Sequence, residues 1–348
     1  MKVENQKLTP RRAAALFSPL RFCVFARFFW IREKSERQSL MKNFLLVLLT
    51  PALLADLPRA ESVQIAKVVE VPGYSEGVVF DKNGEAYISD VLNGTIYRIE
   101  AEGKASVWAK TGAPNGHKIL ADGAHLVCDG SQHAVLHVSA AGEILGKAAS
   151  ACEGKPLRAP NDLTLDPRGG FYFTDPGGSD EKNPIGTVHY VDASGTTHLV
   201  AEGLAFPNGI VLRPDGKTLL VGESKFNHIL MYEVLAPGKL GPKKVFAKLP
   251  TKSGEQIDNQ PDGMCLDREG NLYVAHYGMR QVQVLNAKGE VVRRYPGGNL
   301  TTSNVAFGGP QLDQLYVTGA LGEETKTRGG LFRLDLKGVQ GLRILPRE

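Results

Sequence analysis

The sequence predicts an all-β chain folded as a six-bladed β-propeller of four-stranded blades with a central metal site. Three observations predict it. One motif, a small polar opening followed by an apolar run, an Asp/Gly turn and a second apolar run, recurs six times. The recurrences are spaced at blade length, and no amphipathic helix of ten or more residues follows Ala60. Composition agrees: of 348 residues 42% are hydrophobic and 22% charged, with 39 Gly and 20 Pro, enough for a sizeable core and many turns. No 18-residue apolar run is free of charge, which excludes a bundle of membrane-spanning helices.

The first elements in chain order are address, not architecture. Residues 1–40 carry nine Lys/Arg against three Glu, a net +6, and read as a basic extension ahead of a true start at Met41; a transit peptide or membrane-surface anchor is the alternative. Met41-Lys42-Asn43, the apolar run Phe44 to Ala55 and a cut near Ala60 have the layout of a signal peptide over 41–60. A periplasmic or secreted protein with no membrane span in the mature chain is expected, a cytoplasmic one being the alternative. The remaining residues sum to −2, which offers no surface for nucleic acid. No obligate protein partner is evident.

The body, 61–348, holds the six openings at 76, 115, 161, 208, 262 and 304, separated by 39, 46, 47, 54 and 42 residues. Each opens a strand, turns at a Gly suited to positive φ, and returns, as in Ala86-Tyr-Ile-Ser89 and Asn271-Leu-Tyr-Val-Ala275. Third strands follow, such as Thr95-Ile-Tyr-Arg-Ile99 and Thr187-Val-His-Tyr-Val191. The early strand Val63 to Val71 precedes the first opening and is expected to complete the last blade and fasten the ring.

In a propeller the innermost strand of each blade lines the channel, so the openings converge at one rim. They are Glu76, Asn115, Asn161, Asn208, Asp262 and Asn304. Any one Asn is equally well explained as a turn cap. Six oxygen-bearing side chains at one position instead suit a single divalent cation, with Ca²⁺ expected and Zn²⁺, Mn²⁺ or Mg²⁺ as alternatives. A second register, Asp90, Asp129, Asp175, Glu223, His276 and Gly319, returns to the same rim. Asp90 and Asp129 read there as turn and inter-blade hydrogen bonding, Asp175 and His276 as residues that touch a ligand. His117, Lys118 and the approach from Gly254 to Gln260 either shape the pocket or are ordinary loop surface.

Other chemistries lack footing. Gly73-Tyr-Ser75-Glu-Gly77 matches G-x-S-x-G, but an alternating strand rather than a helix follows it. Cys23, Cys128, Cys152 and Cys265 show no zinc spacing; Cys128 and Cys152 can pair if the chain is exported, and Cys265 reads as a small packed hydrophobe. There is no GxGxxG, P-loop, HExxH or EF-hand loop.

Ser75-Glu76-Gly77, Pro160-Asn-Asp162, Phe206-Pro-Asn-Gly209, Gln260-Pro-Asp-Gly-Met264 and Ser303-Asn-Val-Ala-Phe-Gly-Gly309, in this order, resemble the senescence-marker-30, gluconolactonase and luciferin-regenerating-enzyme-like propellers. The resemblance implies a metal held by Glu76, Asn208 and Asp262, with Asn161 on the metal or on a substrate hydroxyl. The family arginine two positions before that Asn is matched by Ala159, and the nearest Arg is Arg158. The implied chemistry is hydrolysis of a sugar lactone, a small-molecule substrate, with Asp262 as base or as orienter of the attacking water; Asn161, Arg158, Asp175, His276 and Asn115 are the candidate substrate contacts. The alternatives are a propeller esterase or phosphotriesterase, and a non-enzymatic ligand- or protein-binding propeller with a structural calcium.

Overall fold

Short β-branched and aromatic runs punctuated by Gly turns can bury both faces only if sheets stack on one another, and that is how the chain is arranged. The computed structural model describes residues 61–100, 103–252, 258–322 and 328–342. The basic extension and the signal peptide expected at 1–60 lie outside the described residues.

Strand β1 (Ile65–Val71) comes first. Blade one is β2 (Ser75–Phe80), β3 (Ala86–Asp90), β4 (Thr95–Ile99) and β5 (Ala105–Lys110). Blade two is β6 (Pro114–Ile119), β7 (His125–Asp129), β8 (Ala134–Val138) and β9 (Ile144–Ala149). A two-stranded hairpin, β10 (Ala151–Cys152) and β11 (Lys155–Pro156), precedes blade three: β12 (Leu163–Leu165), β13 (Phe171–Asp175), β14 (Gly186–Val191) and β15 (Thr197–Leu204).

Blade four is β16 (Pro207–Leu212), β17 (Thr218–Glu223), β18 (His228–Ala236), β19 (Lys239–Leu240) and β20 (Lys244–Lys248). Blade five is β21 (Gln260–Leu266), β22 (Leu272–Tyr277), β23 (Gln281–Leu285) and β24 (Val291–Pro296); blade six is β25 (Asn304–Gly308), β26 (Gln314–Ala320) and β27 (Gly329–Asp335). Blade six takes its fourth, outer strand from β1, which runs antiparallel to β27 from Ile65↔Leu334 to Val71↔Gly329. The ring is fastened as the sequence predicts. Blade four departs from four strands because β18 overruns β20, and its overhang folds back on β19 through Gly238 at φ 71°.

The turns from first to second strand carry Gly84, Gly123, Gly169, Gly216 and Gly270 at φ between 66° and 91°, where a Cβ would be strained. Each blade interface has its own apolar cluster. Tyr273, Val284, Val305 and Leu315 join blades five and six, and Tyr172, Val188, Ile210 and Val221 join three and four.

The register of the first two strands divides the blades into two kinds. In blades one, two, four and five it slips by a bulge: Ser75↔Asp90 is followed by Val78↔Ile88, Pro114↔Asp129 by His117↔Val127, Pro207↔Glu223 by Ile210↔Val221, and Pro261↔His276 by Met264↔Val274. The two residues in each bulge are a polar opener and a glycine: Glu76-Gly77, Asn115-Gly116, Asn208-Gly209 and Asp262-Gly263. Counting from Leu163↔Phe173 and Val305↔Val317, the same two slots hold Asn161-Asp162 in blade three and Ser303-Asn304 in blade six. This corrects the sequence reading, in which Asn304 is the sixth opener: Ser303 holds that slot, and Asn304 stands where four blades have glycine. The ring therefore repeats with a period of three blades.

Candidate active site

Those glycines bring successive blades together. An added Cβ would stand 2.3 Å from the Asn115 carbonyl oxygen at Gly77, 2.2 Å from Asp162 Oδ1 at Gly116, 2.1 Å from the Asp262 carbonyl oxygen at Gly209, and 2.3 Å from Asn304 Cγ at Gly263. Hydroxyls close the two remaining joints: Thr174 Oγ1 donates to the Asn208 carbonyl at 2.8 Å, and Ser303 Oγ to the Ser75 carbonyl at 2.8 Å.

The packing gathers oxygens. Glu76, Asp162, Asn208, Asp262 and Asn304 are all at most 8% exposed. The Asn304 carboxamide lies beside Glu76 and the Asn208 carboxamide beside Asp262, each favouring the ionised carboxylate. Asp162 Oδ1 accepts from its neighbour's amide, Leu163 N, at 2.8 Å, and Asn304 Oδ1 does the same with Val305 N at 2.9 Å. Burial, then the charges of Asp262 and Asp162, push Glu76 well above the usual carboxylate range; burial, then Asp162, do the same to Asp262. Glu76 Oε2 is buried without a hydrogen-bond partner.

An orphaned carboxylate oxygen among like charges lacks a positive partner, and a hard cation fits such carboxylate and carboxamide donors. Among the described residues no group of three or more His, Cys, Asp or Glu side chains is close enough to hold an ion without the carboxamides.

Two phenols and one ammonium adjoin the cluster. Tyr74 is 9% exposed, donates to Thr301 Oγ1 at 3.3 Å, and is pushed up by burial and by the charges of Glu76 and Asp262. Tyr277 is half-buried and raised by burial, Asp262, Asp258 and Glu76. Lys118 Nζ lies 3.6 Å from Asp162 Oδ1 and lines an axial cavity of about 100 Å³ to which all six innermost strands contribute. Sequence reasoning missed Asp162, Tyr74 and Tyr277. The signal for Asp162 was available, an acid in the slot where neighbouring repeats carry glycine; the tyrosines carried none.

The remaining candidates divide. Asn115 and Asn161 occupy the Glu76 slot in their blades and are half-buried; the Asn161 backbone staples blades two and three, its carbonyl accepting from Gly116 N at 2.8 Å. Asp175, expected to touch a ligand, is 1% exposed and accepts from Arg158 N at 2.9 Å and Ala159 N at 2.6 Å. The device recurs, Asp90 accepting from Gly73 N, Asp129 from Gly112 N and Glu223 from Ala205 N. An acid ending the second strand thus ties down the segment entering its own blade.

His276 is fully buried, its Nε2–H donating to Asn227 Oδ1 at 2.8 Å while Nδ1 accepts from Gln283 Nε2 at 3.3 Å. The Arg158 guanidinium donates to the Ile185 carbonyl at 2.9 Å. Cys128 and Cys152 are free thiols, so the pairing that export would allow is not made.

A model of the family described as SMP-30/Gluconolactonase/LRE-like region matches residues 74–321. A lactonase, drp35, of Staphylococcus aureus is 32% identical over 232 residues, 65% of this chain and 68% of that protein. The diisopropyl-fluorophosphatase of Loligo vulgaris is 28% identical over 260 residues, 67% of this chain and 81% of its own. Among solved structures, a gluconolactonase of Xanthomonas campestris superposes with a TM-score of 0.68 at 23% identity, covering 81% of this chain and 95% of that one. A calcium-binding regucalcin of Agrobacterium tumefaciens gives 0.69 at 23%, covering 82% and 98%. At these identities the two structures bear on the fold alone.

Proposed function

The chain belongs to the SMP-30/Gluconolactonase/LRE-like family, and from that membership and its oxygen cluster we infer that it is a hydrolase that opens a sugar lactone with the help of one divalent cation. The observation that carries this reading is the buried, unpartnered Glu76 Oε2 beside Asp262, with the Asn208 and Asn304 carboxamides next to the pair.

Glu76, Asn208 and Asp262 would hold the ion, Ca²⁺ by the hardness of the donors, with Asn161 on the ion or on a substrate hydroxyl. The ion would supply Lewis-acid polarisation of the ring ester carbonyl. Asp262 takes the proton of the attacking water or orients that water; a bound cation would offset the rise in proton affinity that burial and Asp162 cause in the metal-free cluster. Asn208 fixes the orientation of Asp262, and Asn304 that of Glu76. Tyr74 and Tyr277 wall the cluster and keep their protons, since burial and the facing carboxylates oppose ionisation. Ala159 supplies no charged contact, so recognition falls to neutral donors such as Asn115 and Asn161.

The test is a panel of lactones, glucono-1,5-lactone among them, assayed on metal-stripped protein with Ca²⁺, Zn²⁺, Mn²⁺ or Mg²⁺ restored singly. Chelator-reversible acid release supports the reading; no turnover of any lactone with any ion defeats it. A second reading, an esterase or phosphotriesterase using the same residues, is favoured by the likeness to the squid diisopropyl-fluorophosphatase over 81% of that protein. Activity on fluorophosphates or aryl esters alone would select it. Export rests on the layout of residues 41–60 only, and N-terminal sequencing of the mature protein decides it: a start near residue 61 supports it, and retention of Met41 or an earlier residue in a cytoplasmic protein refutes it.

A further inference from the structure

The period of three blades pairs each inner-strand residue with a counterpart in the opposite half of the ring. Glu76 corresponds to Asn208, Asn115 to Asp262, and Asp162 to Asn304. Two positions after the glycine slot, the six blades place Val79, Lys118, Thr164, Val211, Cys265 and Ala306 on the axial cavity, and Lys118 alone among them is charged. Its counterpart is Cys265. One half of the ring thus has a Lys118–Asp162 ion pair, with Nζ 3.6 Å from Oδ1, where the other half has the neutral residues Cys265 and Asn304.

The neutral half shows that this backbone does not need the charges. Asn304 and Asp162 even use Oδ1 in the same way, each accepting the amide of the following residue. Nor is a poorly exposed ion pair a strong stability device, because desolvating both partners offsets most of their attraction. What the pair does change is the charge beside the oxygen cluster: Asp162 is a carboxylate only 3% exposed, next in the chain to Asn161, and Lys118 Nζ stands 3.6 Å from it.

We infer that Lys118 is the fixed cation of the channel, balancing Asp162 so that a divalent ion meets the charge of Glu76 and Asp262 alone. The inference rests on the metal-site reading above and adds a residue whose charge sets the affinity of that site. Lys118 is a charge-setting residue and not a ligand: an ammonium has no lone pair to give. It holds its place by donating to the His117 carbonyl at 3.2 Å as well as by pairing with Asp162.

The experiment is calorimetric titration of CaCl₂ into the metal-stripped full chain, for wild type, Lys118→Met, Asp162→Asn and the double variant, with thermal unfolding in chelator as the check on folding. Lys118→Met is expected to tighten Ca²⁺ by about tenfold or more, because charges facing each other across a partly dry site differ by at least that factor. Asp162→Asn is expected to weaken it comparably, and the double variant, which copies the neutral half of the ring, to fall within about threefold of wild type. Lys118→Arg is expected to keep the wild-type affinity. If Lys118→Met does not fold, adding it to Asp162→Asn must still tighten Ca²⁺ relative to Asp162→Asn alone. Unchanged or weaker affinity on removing Lys118 in both backgrounds overturns the inference while leaving the metal site standing; a wild-type chain that takes up no Ca²⁺ overturns both.

Discussion

Asn304 fits against the cluster only because residue 263 is glycine: a Cβ there would stand 2.3 Å from Asn304 Cγ and 2.4 Å from its Nδ2, in the carboxamide that lies beside Glu76. Gly263 is not in the left-handed region, so alanine meets a steric and not a backbone penalty.

Gly263→Ala is therefore expected to push Asn304 off Glu76, costing about 1–3 kcal/mol from overpacking and at least about tenfold in kcat through lost preorganisation of the cluster. Gly146→Ala, at a site with no heavy atom within 4 Å, is the control expected to be near neutral. Melting temperatures and lactone turnover of the two variants, side by side, check it.

Glu76→Gln separates metal binding from folding. The wild-type carboxyl is buried beside Asp262 and Asp162 and resists ionisation, so the metal-free fold weakens as pH rises through the ordinary carboxylate value towards the raised one. An uncharged Gln removes that cost. The metal-stripped variant is expected to be about 1 kcal/mol more stable than wild type near pH 7.5 in urea unfolding. Ca²⁺, which stabilises wild type by mass action, is expected to leave the variant's midpoint unmoved. A variant less stable than wild type in chelator would contradict this account of the cluster.

The fold was largely legible because repetition multiplies a weak signal: one hairpin motif is ambiguous, six at blade spacing are not. The closing strand could be read from an apolar run left over before Glu76. The register of each inner strand could not. Periodicity gives the alternation of a strand but not the bulges at Glu76-Gly77, Asn115-Gly116, Asn208-Gly209 and Asp262-Gly263, and those decide which residue faces the axis. Hence Asn304 was set in the wrong slot and Asp162 went unnoticed beside Asn161. Asp175 and His276 pose a different difficulty. A polar residue at a rim reads alike whether it turns to a ligand or to a loop amide, and only the partners at Ala159 N and Asn227 Oδ1 tell the two apart.

Ser75 sits in a G-x-S-x-G run yet works as a pin between blades one and six. Its fully buried hydroxyl accepts from Gly319 N at 3.0 Å and Gly330 N at 3.1 Å and lies 3.0 Å from both of their carbonyl oxygens, one of which takes its proton. Ser75→Ala leaves those groups short of a partner, for an expected loss of roughly 1–3 kcal/mol, with turnover per folded molecule within about threefold of wild type. Loss of all activity in a variant that still folds would reinstate Ser75 as a nucleophile.

Acid should weaken the fold through histidines buried as neutral rings. Burial lowers His125, packed 4.8 Å from Tyr87 and 4.3 Å from Trp108, to about 4; burial also lowers His189, stacked on Phe173, to about 4 despite the Asp175 carboxylate 4.0 Å away. Each ring is uncharged in the fold but protonates near its ordinary value of about 6.5 when unfolded. Stability is then complete above that value and is lost as pH falls from about 6.5 to about 4, by up to roughly 3 kcal/mol for each histidine. Glu76 and Asp262 shift in the opposite sense when no metal is bound, so the sign is read from a difference. His125→Phe, which keeps an aromatic ring between Tyr87 and Trp108, is expected to lose less stability than wild type between pH 7 and pH 4.5 in urea unfolding, and an identical loss in the two proteins would show that His125 takes up its proton as readily in the folded chain as in the unfolded one.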